Sequence, residues 1–322
     1  MKYNYDEFKK YVMENIGSYL PKEYEDARME FQQIRKSGGN NYEALMIKPN
    51  DGETVCAIPA LNLTEAFSRY EQGEEPDNIV SDLAEIRTHA KLPDEELGKK
   101  ITDFEYARSK IFPRLVNTAT NAEYLADKPH VEVEDLSLMY ALRIQEDSNG
   151  MADAIIDDKL IEIWGIDESE LKDIAMENMS TREPFFANIE EVIFSKEVTP
   201  IPGEMFSHIE ELDPSDYSLP FFVLSNQQKT KGAVMALEPK TMSLITEKLG
   251  DVYIIPSSVD EVIVVPKSVI DDVAHLSDMV KQVNAETVAP QDQLSNNVYE
   301  YDPDNQTLVV ASAPQQGEVQ TM

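Results

Sequence analysis

Short apolar segments occur in pairs along this chain, and each pair encloses a turn sequence and is followed by residues with helical spacing. Residues 138–144 and 151–156 enclose a turn that ends at Gly150, which is typical of two antiparallel strands joined as a hairpin. Residues 221–224 and 233–237 form a second such pair. Hairpins joined through helices, without strict alternation of strand and helix, predict an α+β fold with mainly antiparallel sheets covered by helices.

The first 90 residues predict a subdomain of their own. Residues 6–20 have the apolar spacing of a helix, and Pro21 follows where that helix should end. Turn residues then separate three strands of an antiparallel meander, which two short helices cover. The strands are expected at residues 27–31, 42–47 and 54–58, and the helices at residues 63–73 and 76–86.

A second, larger subdomain is predicted to begin with a helix through Phe104, Ala107, Ile111 and Leu115, kinked at Pro113. After it, helices are expected at residues 160–179, 239–249 and 269–283, and strands at residues 252–255 and 261–265. The resulting division is a first domain at 1–90, a linker at 91–102, a larger domain at 103–311 and a disordered tail at 312–322.

One side chain of the larger domain carries a specific core prediction. Trp164 is the only tryptophan of the chain. It shares a helical stripe with the apolar residues Leu160 and Ile163, so we expect it to be buried.

Charge narrows the possible partners. The chain has 28 Lys and Arg against 61 Asp and Glu, a formal net charge of -33. Because affinity for nucleic acids depends first on Lys and Arg displacing counterions, we expect no direct binding to nucleic acid, and anionic membranes are disfavoured for the same reason. Acidity is commonly a solubility device. Its sharper interpretations are a docking surface for a basic protein partner and mimicry of DNA.

The cellular compartment is inferred from the cysteine and the N-terminal sequence. Cys56 is the one cysteine, and so it cannot form an intramolecular disulfide. The charged, amphipathic N-terminal sequence lacks the apolar core of a signal peptide, and no apolar run is long enough to span a bilayer. We therefore expect a cytoplasmic protein.

Motifs for catalysis or cofactors are not recognisable. None of the four histidines has a second histidine or a cysteine at metal-ligand spacing, and no Gly-rich phosphate loop follows a strand. We expect no metal and no cofactor. The polar cluster that most resembles a site is Ser257, Ser258, Asp260 and Glu261, but the favoured interpretation is a turn whose hydroxyl groups satisfy backbone groups.

The densest acidic stretch is the candidate partner-binding surface. Such a stretch is usually a solvated face and occasionally a docking surface for a basic partner. Its carboxylates are Glu71, Glu74, Glu75, Asp77, Asp82, Glu85, Asp94, Glu95 and Glu96.

Several sequence blocks of the chain have a distinctive composition and spacing. The blocks extend over nearly the whole chain, and the C-terminal ones are the most specific. They include Arg114-Leu115-Val116-Asn117, Pro129-His130, Leu160-Ile161-Glu162-Ile163-Trp164-Gly165, Leu224-Ser225-Asn226, Gly232-Ala233, Tyr253-Ile254-Ile255-Pro256-Ser257-Ser258-Val259 and Val288-Ala289-Pro290. These blocks resemble a known family, an uncharacterised group of clostridial and related Firmicute proteins described as domain of unknown function 5688.

The resemblance implies an accessory protein of a mobile genetic element, and it brings no catalytic residue with it. The chain departs from the family pattern at Pro113 and at Asp260, where the family often carries a histidine. The second departure argues against a general base in this turn.

We therefore expect a non-enzymatic protein that binds a macromolecular partner through its acidic surface. The alternatives are an anti-defence inhibitor of the anti-restriction or anti-CRISPR type that mimics DNA, and an enzyme with its site near Ser257 and Ser258.

Overall fold

The computed structural model describes residues 2–48, 58–90, 95–147, 150–194, 204–270 and 272–311. The chain forms two compact units, Met1–Asp103 and Phe104–Met322. Both combine helices with antiparallel sheets, so the protein is α+β as the hairpin pattern predicts. No helix within the described ranges is long and apolar enough to cross a membrane.

Unit 1 packs helices on a small sheet. Its strands pair antiparallel in the order β1-β2-β3. The predicted third strand at 54–58 lies largely outside the described residues, and the candidate linker contains a helix. The elements are α1 (Tyr5–Asn15), β1 (Arg28–Ile34), β2 (Tyr42–Lys48), β3 (Leu61–Asn62), α2 (Leu63–Glu71), α3 (Pro76–His89) and α4 (Glu95–Thr102).

Local signals set the first helix of unit 1. Asn4 accepts a hydrogen bond from the backbone of Glu7 at 3.0 Å, and the Glu7 carboxylate accepts one from the backbone of Asn4 at 3.0 Å. This reciprocal capping box satisfies two amide groups that a helix start leaves unpaired. Phe8 and Val12, one helical turn apart, are then fully buried and dock α1 on the sheet.

Unit 2 is larger and contains two sheets. Its helices are α5 (Phe104–Ala107), α6 (Ala122–Leu125), α7 (Asp158–Trp164), α8 (Glu168–Ser180), α9 (Ile189–Phe194), α10 (Met205–Glu211), α11 (Pro239–Leu249) and α12 (Val273–Thr287). Its strands are β4 (Ile111–Asn117), β5 (His130–Val133), β6 (Leu136–Asp147), β7 (Gly150–Ile155), β8 (Pro184–Asn188), β9 (Phe222–Asn226), β10 (Val252–Ile255), β11 (Val262–Pro266), β12 (Tyr299–Asp302) and β13 (Thr307–Val310).

Both sheets of unit 2 are antiparallel. In the four-stranded sheet β6 lies between β4 and β5 and also pairs with β7, which confirms the predicted hairpin ending at residue 156. The six-stranded sheet has the order β13-β12-β10-β11-β9-β8. Gly250 ends α11 at a φ of 72°, a left-handed conformation that glycine adopts without strain.

The predicted kinked helix through residues 104–115 is wrong beyond its first turn. α5 ends at Ala107, and β4 begins at Ile111. Ile111, Pro113 and Leu115 are buried in alternation, which is the period of a strand. β4 lies at the edge of its sheet, where a residue without an N–H group is tolerated. Pro113 therefore marks an edge strand rather than a helix kink.

The predicted strand at residues 233–237 is also wrong. Ala233–Leu237 is a 3₁₀ helix, and all five of its side chains are buried. A short apolar run that is buried on every side does not distinguish a strand from a helical turn.

Trp164 is 8% exposed and its ring centroid lies 5.8 Å from that of Phe104, which confirms the core prediction. Ile163 does not share that face, because it is 60% exposed.

Candidate functional site

The acidic stretch of unit 1 is partly neutralised by its own chain. Arg69 donates two hydrogen bonds to the Glu74 carboxylate, from Nε at 2.8 Å and from Nη2 at 2.6 Å, and its Nη2 also donates to Asp82. The Arg69 guanidinium lowers the pKa of Glu74. The Asp77 carboxylate accepts a hydrogen bond from the Tyr11 hydroxyl, and this bond raises the pKa of the phenol to about 12.

The remaining acidic residues of the stretch differ in their surroundings. The side chains of Glu71, Glu75 and Glu85 are exposed. Glu96 is exposed as well and forms an ion pair with Lys100 at 2.7 Å. Asp94 and the side chain of Glu95 lie outside the described residues.

The polar cluster near Ser257 is a hydrogen-bonded turn. Ser258 is 7% exposed, and its hydroxyl accepts a hydrogen bond from the Asp260 amide at 2.9 Å. Burial raises the pKa of the Glu261 carboxyl, while the Ser258 hydroxyl acts in the opposite direction. The Asp260 carboxylate accepts a hydrogen bond from the backbone amide of Lys231 at 2.8 Å. The turn therefore supports the chain segment around Lys231.

That segment borders a cavity of unit 2 with an unusual lining for so acidic a chain. The cavity has a volume of about 80 Å³, enough for a small polar group and its waters. Three of the eight arginines of the chain line it: Arg114 from β4, Arg143 from β6 and Arg182 from the segment after α8. Lys231 adds a fourth cation to the lining.

Asp153 of β7 holds two of these arginines side by side. Its Oδ1 accepts a hydrogen bond from Arg143 Nε at 2.5 Å, and its Oδ2 accepts one from Arg114 Nη2. The Asp153 side chain is only 5% exposed, against 20% for Arg114 and 16% for Arg143. One shielded carboxylate thus binds two guanidinium groups.

Two of the cations also lie over an aromatic ring. The guanidinium carbons of Arg143 and Arg182 lie 5.2 Å and 4.7 Å from the centre of the Phe112 ring. Stacking on a ring holds a guanidinium plane while its N–H groups point along that plane. Such a group is preorganised to bind a carboxylate or a phosphate through paired hydrogen bonds.

The loop from Asn226 to Lys231 forms another side of the cavity and has unusual backbone angles. Lys229 and Lys231 have φ values of 52° and 54°, in the left-handed region that non-glycine residues rarely adopt. Asn226 Nδ2 donates to the Thr230 carbonyl at 2.7 Å, and the Lys231 amide donates to Asp260. Strained backbone held in this way concentrates at binding sites.

A family model matches residues 5–303 of the chain, and its description is a family of unknown function (DUF5688). This chain belongs to that family. The family resemblance of the sequence blocks is thereby confirmed. No curated protein and no solved structure matches the chain.

Within the DUF5688 chain, the cavity is the feature that sequence reasoning missed. Arg114 lies in one of the family blocks, and Asn226 and Gly232 lie in others, but the blocks are far apart in sequence. The predicted cluster near Ser257 supports the cavity loop through Asp260, but it does not line the cavity. Among the described residues, no group of His, Cys, Asp and Glu side chains is arranged to hold a metal ion.

Proposed function

We propose that this protein is a binding protein that recognises an anionic group in the arginine-lined cavity of unit 2. The observation that carries the proposal is the cluster of Arg114, Arg143 and Asp153. Two guanidinium groups with low solvent exposure are held by the same carboxylate at the cavity lining. Because guanidinium groups held in place present planar N–H donors that match a carboxylate or a phosphate, such a cluster favours an anionic ligand.

The composition of the chain strengthens this interpretation. A net charge of -33 comes with few basic side chains, and yet three arginines and one lysine line one small cavity. Solubility does not require cations to be gathered in this way. Recognition of an anion does, because fixed donors in a recessed site act in a lower effective dielectric than water.

The proposal is tested by isothermal titration of the full chain with acetate, phosphate and sulfate at constant ionic strength. We expect saturable binding of at least one anion. The variant Arg114→Gln should weaken it about ten- to a hundredfold, because a hydrogen bond to a charged group contributes about 1.5–3 kcal/mol.

The control is Arg28→Gln, which makes the same change of charge in unit 1 at a side chain that is 80% exposed. We expect it to bind like the wild type. Circular dichroism checks that Arg114→Gln is folded, since Asp153 retains Arg143. If no anion binds, or if Arg114→Gln binds as tightly as the wild type, the proposal is wrong.

A second candidate function is the non-enzymatic docking of a basic protein partner on unit 1. The exposed side chains of Glu71, Glu75 and Glu85 support it. DNA mimicry has less support in this stretch, because Glu74 and Asp82 converge on one arginine and do not continue an array of charges.

A triple Gln substitution at residues 71, 75 and 85 tests the docking function while the Arg69 pairs stay intact. Affinity capture from the native host at low and high salt should lose a partner that the wild type retains, and wild-type capture should fall with salt. Equal capture by both proteins would leave the acidity as a solubility device.

A further inference from the structure

We infer that two copies of this chain associate through the open edge of strand β1 in unit 1. The two copies of β1 run antiparallel about a two-fold axis at Phe31, so that two three-stranded sheets join into one. The inference does not depend on the arginine cavity of unit 2. It follows from the backbone groups that β1 leaves unpaired and from the charges at its two ends.

β1 is an edge strand without the usual protection of an edge. It pairs with β2 over its whole length, Arg28–Ile34, with no shift of register, and no strand of the described residues pairs with its other side. It contains no proline, and Gln32 and Gln33 are exposed. An unpaired row of N–H and C=O groups is a template for another strand, and proteins commonly blunt it with a bulge, a proline or a covering element. The kind of partner that fits β1 is therefore another extended strand.

Two hydrogen bonds show in which direction the backbone groups of β2 point. The Glu43 amide donates to Thr64 Oγ1 at 3.2 Å, and the Ile47 carbonyl accepts from Arg87 Nε at 3.0 Å. Thr64 comes directly after β3, which pairs with the side of β2 opposite to β1. The backbone groups of these two β2 residues therefore point away from β1.

The facing residues of β1 then point outward as well. In an antiparallel pair, two facing residues either exchange both of their hydrogen bonds or both turn their backbone groups to the outer sides. Glu43 faces Gln33, and Ile47 faces Met29. Phe31 has the same orientation, because every second residue of a strand repeats it. The open edge thus presents the N–H and C=O groups of Met29, Phe31 and Gln33.

A second copy of β1 matches this set of groups. When Phe31 faces Phe31 of the second copy, Met29 and Gln33 face each other across the axis, and each facing pair exchanges two hydrogen bonds. No two charges of like sign face each other in this register. The Phe31 rings, which are partly buried against the core of unit 1, also meet as a cross-strand aromatic pair. Every outward backbone group of the edge is therefore paired.

The two ends of β1 carry opposite charges. Glu25 and Asp26 lie exposed just before the strand, and Arg35 and Lys36 lie exposed just after it. None of these four side chains forms an ion pair with another described residue. Antiparallel pairing about Phe31 places the acidic end of each copy beside the basic end of the other, with Asp26 opposite Lys36. Parallel pairing would place like charges together, so the charges select the antiparallel arrangement.

The overall charge of the chain opposes association mainly at low salt. Each copy has a formal net charge of -33, but at about 0.15 M salt the Debye length is about 8 Å. Charges farther from the interface are then screened, whereas the strand ends lie beside each other. The dimer is therefore sought at this salt concentration.

Sedimentation equilibrium of the full chain tests the inference. Over about 1 μM to 1 mM, a range that includes the affinities of weak interfaces, we expect the weight-average mass to rise from that of one chain toward that of two. Gln33→Pro removes an outward N–H group from each copy and keeps the ladder to β2, since proline is tolerated on an edge strand where its N–H would face solvent. It should weaken the dimer about tenfold or more, because a backbone hydrogen bond is lost on each side of the axis. Gln33→Ala, which keeps the N–H group, is the control and should associate like the wild type.

Charge reversal at exposed positions tests the orientation without changing the strand itself. Lys36→Glu places like charges together at both ends of the interface and should weaken the dimer several-fold. Asp26→Lys should do the same. The double variant with Asp26→Lys and Lys36→Glu restores opposite charges between the copies and should recover the wild-type affinity.

Three outcomes overturn the inference. The wild type stays monomeric over the whole range, or Gln33→Pro, shown to be folded by circular dichroism, dimerises as tightly as the wild type, so that association uses another surface. In the third, the double charge variant is as weak as the single variants, and this test stands even if Gln33→Pro does not fold. Arg114→Gln should leave the mass unchanged, which separates this result from the anion-binding proposal.

Discussion

Both units contain a cluster of three charged side chains, and the two clusters have opposite compositions. In unit 1 a single arginine, Arg69, holds the two carboxylates of Glu74 and Asp82. In unit 2 a single carboxylate, Asp153, holds two arginines. The unit 1 side chains are 32% to 48% exposed, whereas Asp153 is 5% exposed.

The difference shows that composition and burial together decide what an ion-pair cluster does. The unit 1 cluster has a net negative charge that water solvates, so it requires nothing further and adds to solubility. The unit 2 cluster holds two guanidinium groups on one carboxylate, and its side chains are only 5% to 20% exposed. We propose that these guanidinium groups also bind an anion from solution, so that a structural cluster serves as a binding site.

The largest predicted effect is the loss of Asp153. The variant Asp153→Ala leaves two guanidinium groups facing each other in a shielded place, and breaking a buried ion pair costs about 3–5 kcal/mol. Because the arginines retain some exposure, we expect a loss near the lower end of that range in urea unfolding. A loss below about 1 kcal/mol would show that the unit 2 cluster behaves like a surface pair.

A smaller loss is predicted at the cavity loop for Gly232→Ala. A β-carbon at Gly232 would lie 2.9 Å from the Asp260 carbonyl oxygen and closer still to the amide nitrogen of Asn226, and neither backbone atom can move away freely. We expect destabilisation of about 1–3 kcal/mol, measured by urea unfolding. Gly17→Ala in unit 1 is the control, because a β-carbon there meets nothing within 4 Å. Equal effects at both glycines would mean that the loop is not tightly held.

In the unit 1 cluster, Arg69→Gln should lower the free energy of unfolding by no more than about 1 kcal/mol, because exposed ion pairs contribute little to stability. The difference from the wild type should shrink in 1 M salt, where the Debye length is about 3 Å. Urea unfolding at low and high salt measures both effects. A loss as large as that of Asp153→Ala would remove the contrast between the units.

The smallest effect concerns Glu261, a half-buried carboxyl group of unit 2 that faces Ser258 and Asp260. Burial raises its pKa in the folded protein above the ordinary value of 4.5. The folded state then binds the proton more tightly than the unfolded state, so this group lowers stability as the pH rises through its folded pKa. Glu261→Gln should therefore be more stable than the wild type at pH 7, with the gain disappearing below about pH 4.5. A constant difference at all pH values would contradict this origin.

Local signals made much of the fold predictable. The hairpin of β6 and β7 follows from strand alternation around a Gly turn, and α11 follows from its initial proline and final glycine. β4 was not predictable in this way, because Ile111 and Leu115 also have the spacing of one helical turn. Only docking against β6, which buries alternate residues, selects the strand.

The candidate site was less accessible to sequence reasoning. Arg114, Arg143 and Arg182 lie on three separate segments, and their partner Asp153 lies on a fourth, so no spacing rule joins them. The cluster near Ser257 was found because its polar residues are contiguous. That cluster contains Asp260, which supports the cavity loop. The contiguous polar residues therefore indicated a segment next to the cavity, but not the arginines that line it.

The central contrast is tested most directly by NMR of the arginine side chains during titrations with acetate, phosphate and sulfate at constant ionic strength. The Nε–Hε resonances report on each guanidinium separately. We predict that those of Arg114 and Arg143 shift with a saturable dependence on ligand, while that of Arg69, already paired with two carboxylates, does not move. Shifts at Arg69 as large as those at Arg114 and Arg143, or no shift at either cavity arginine, would contradict the account.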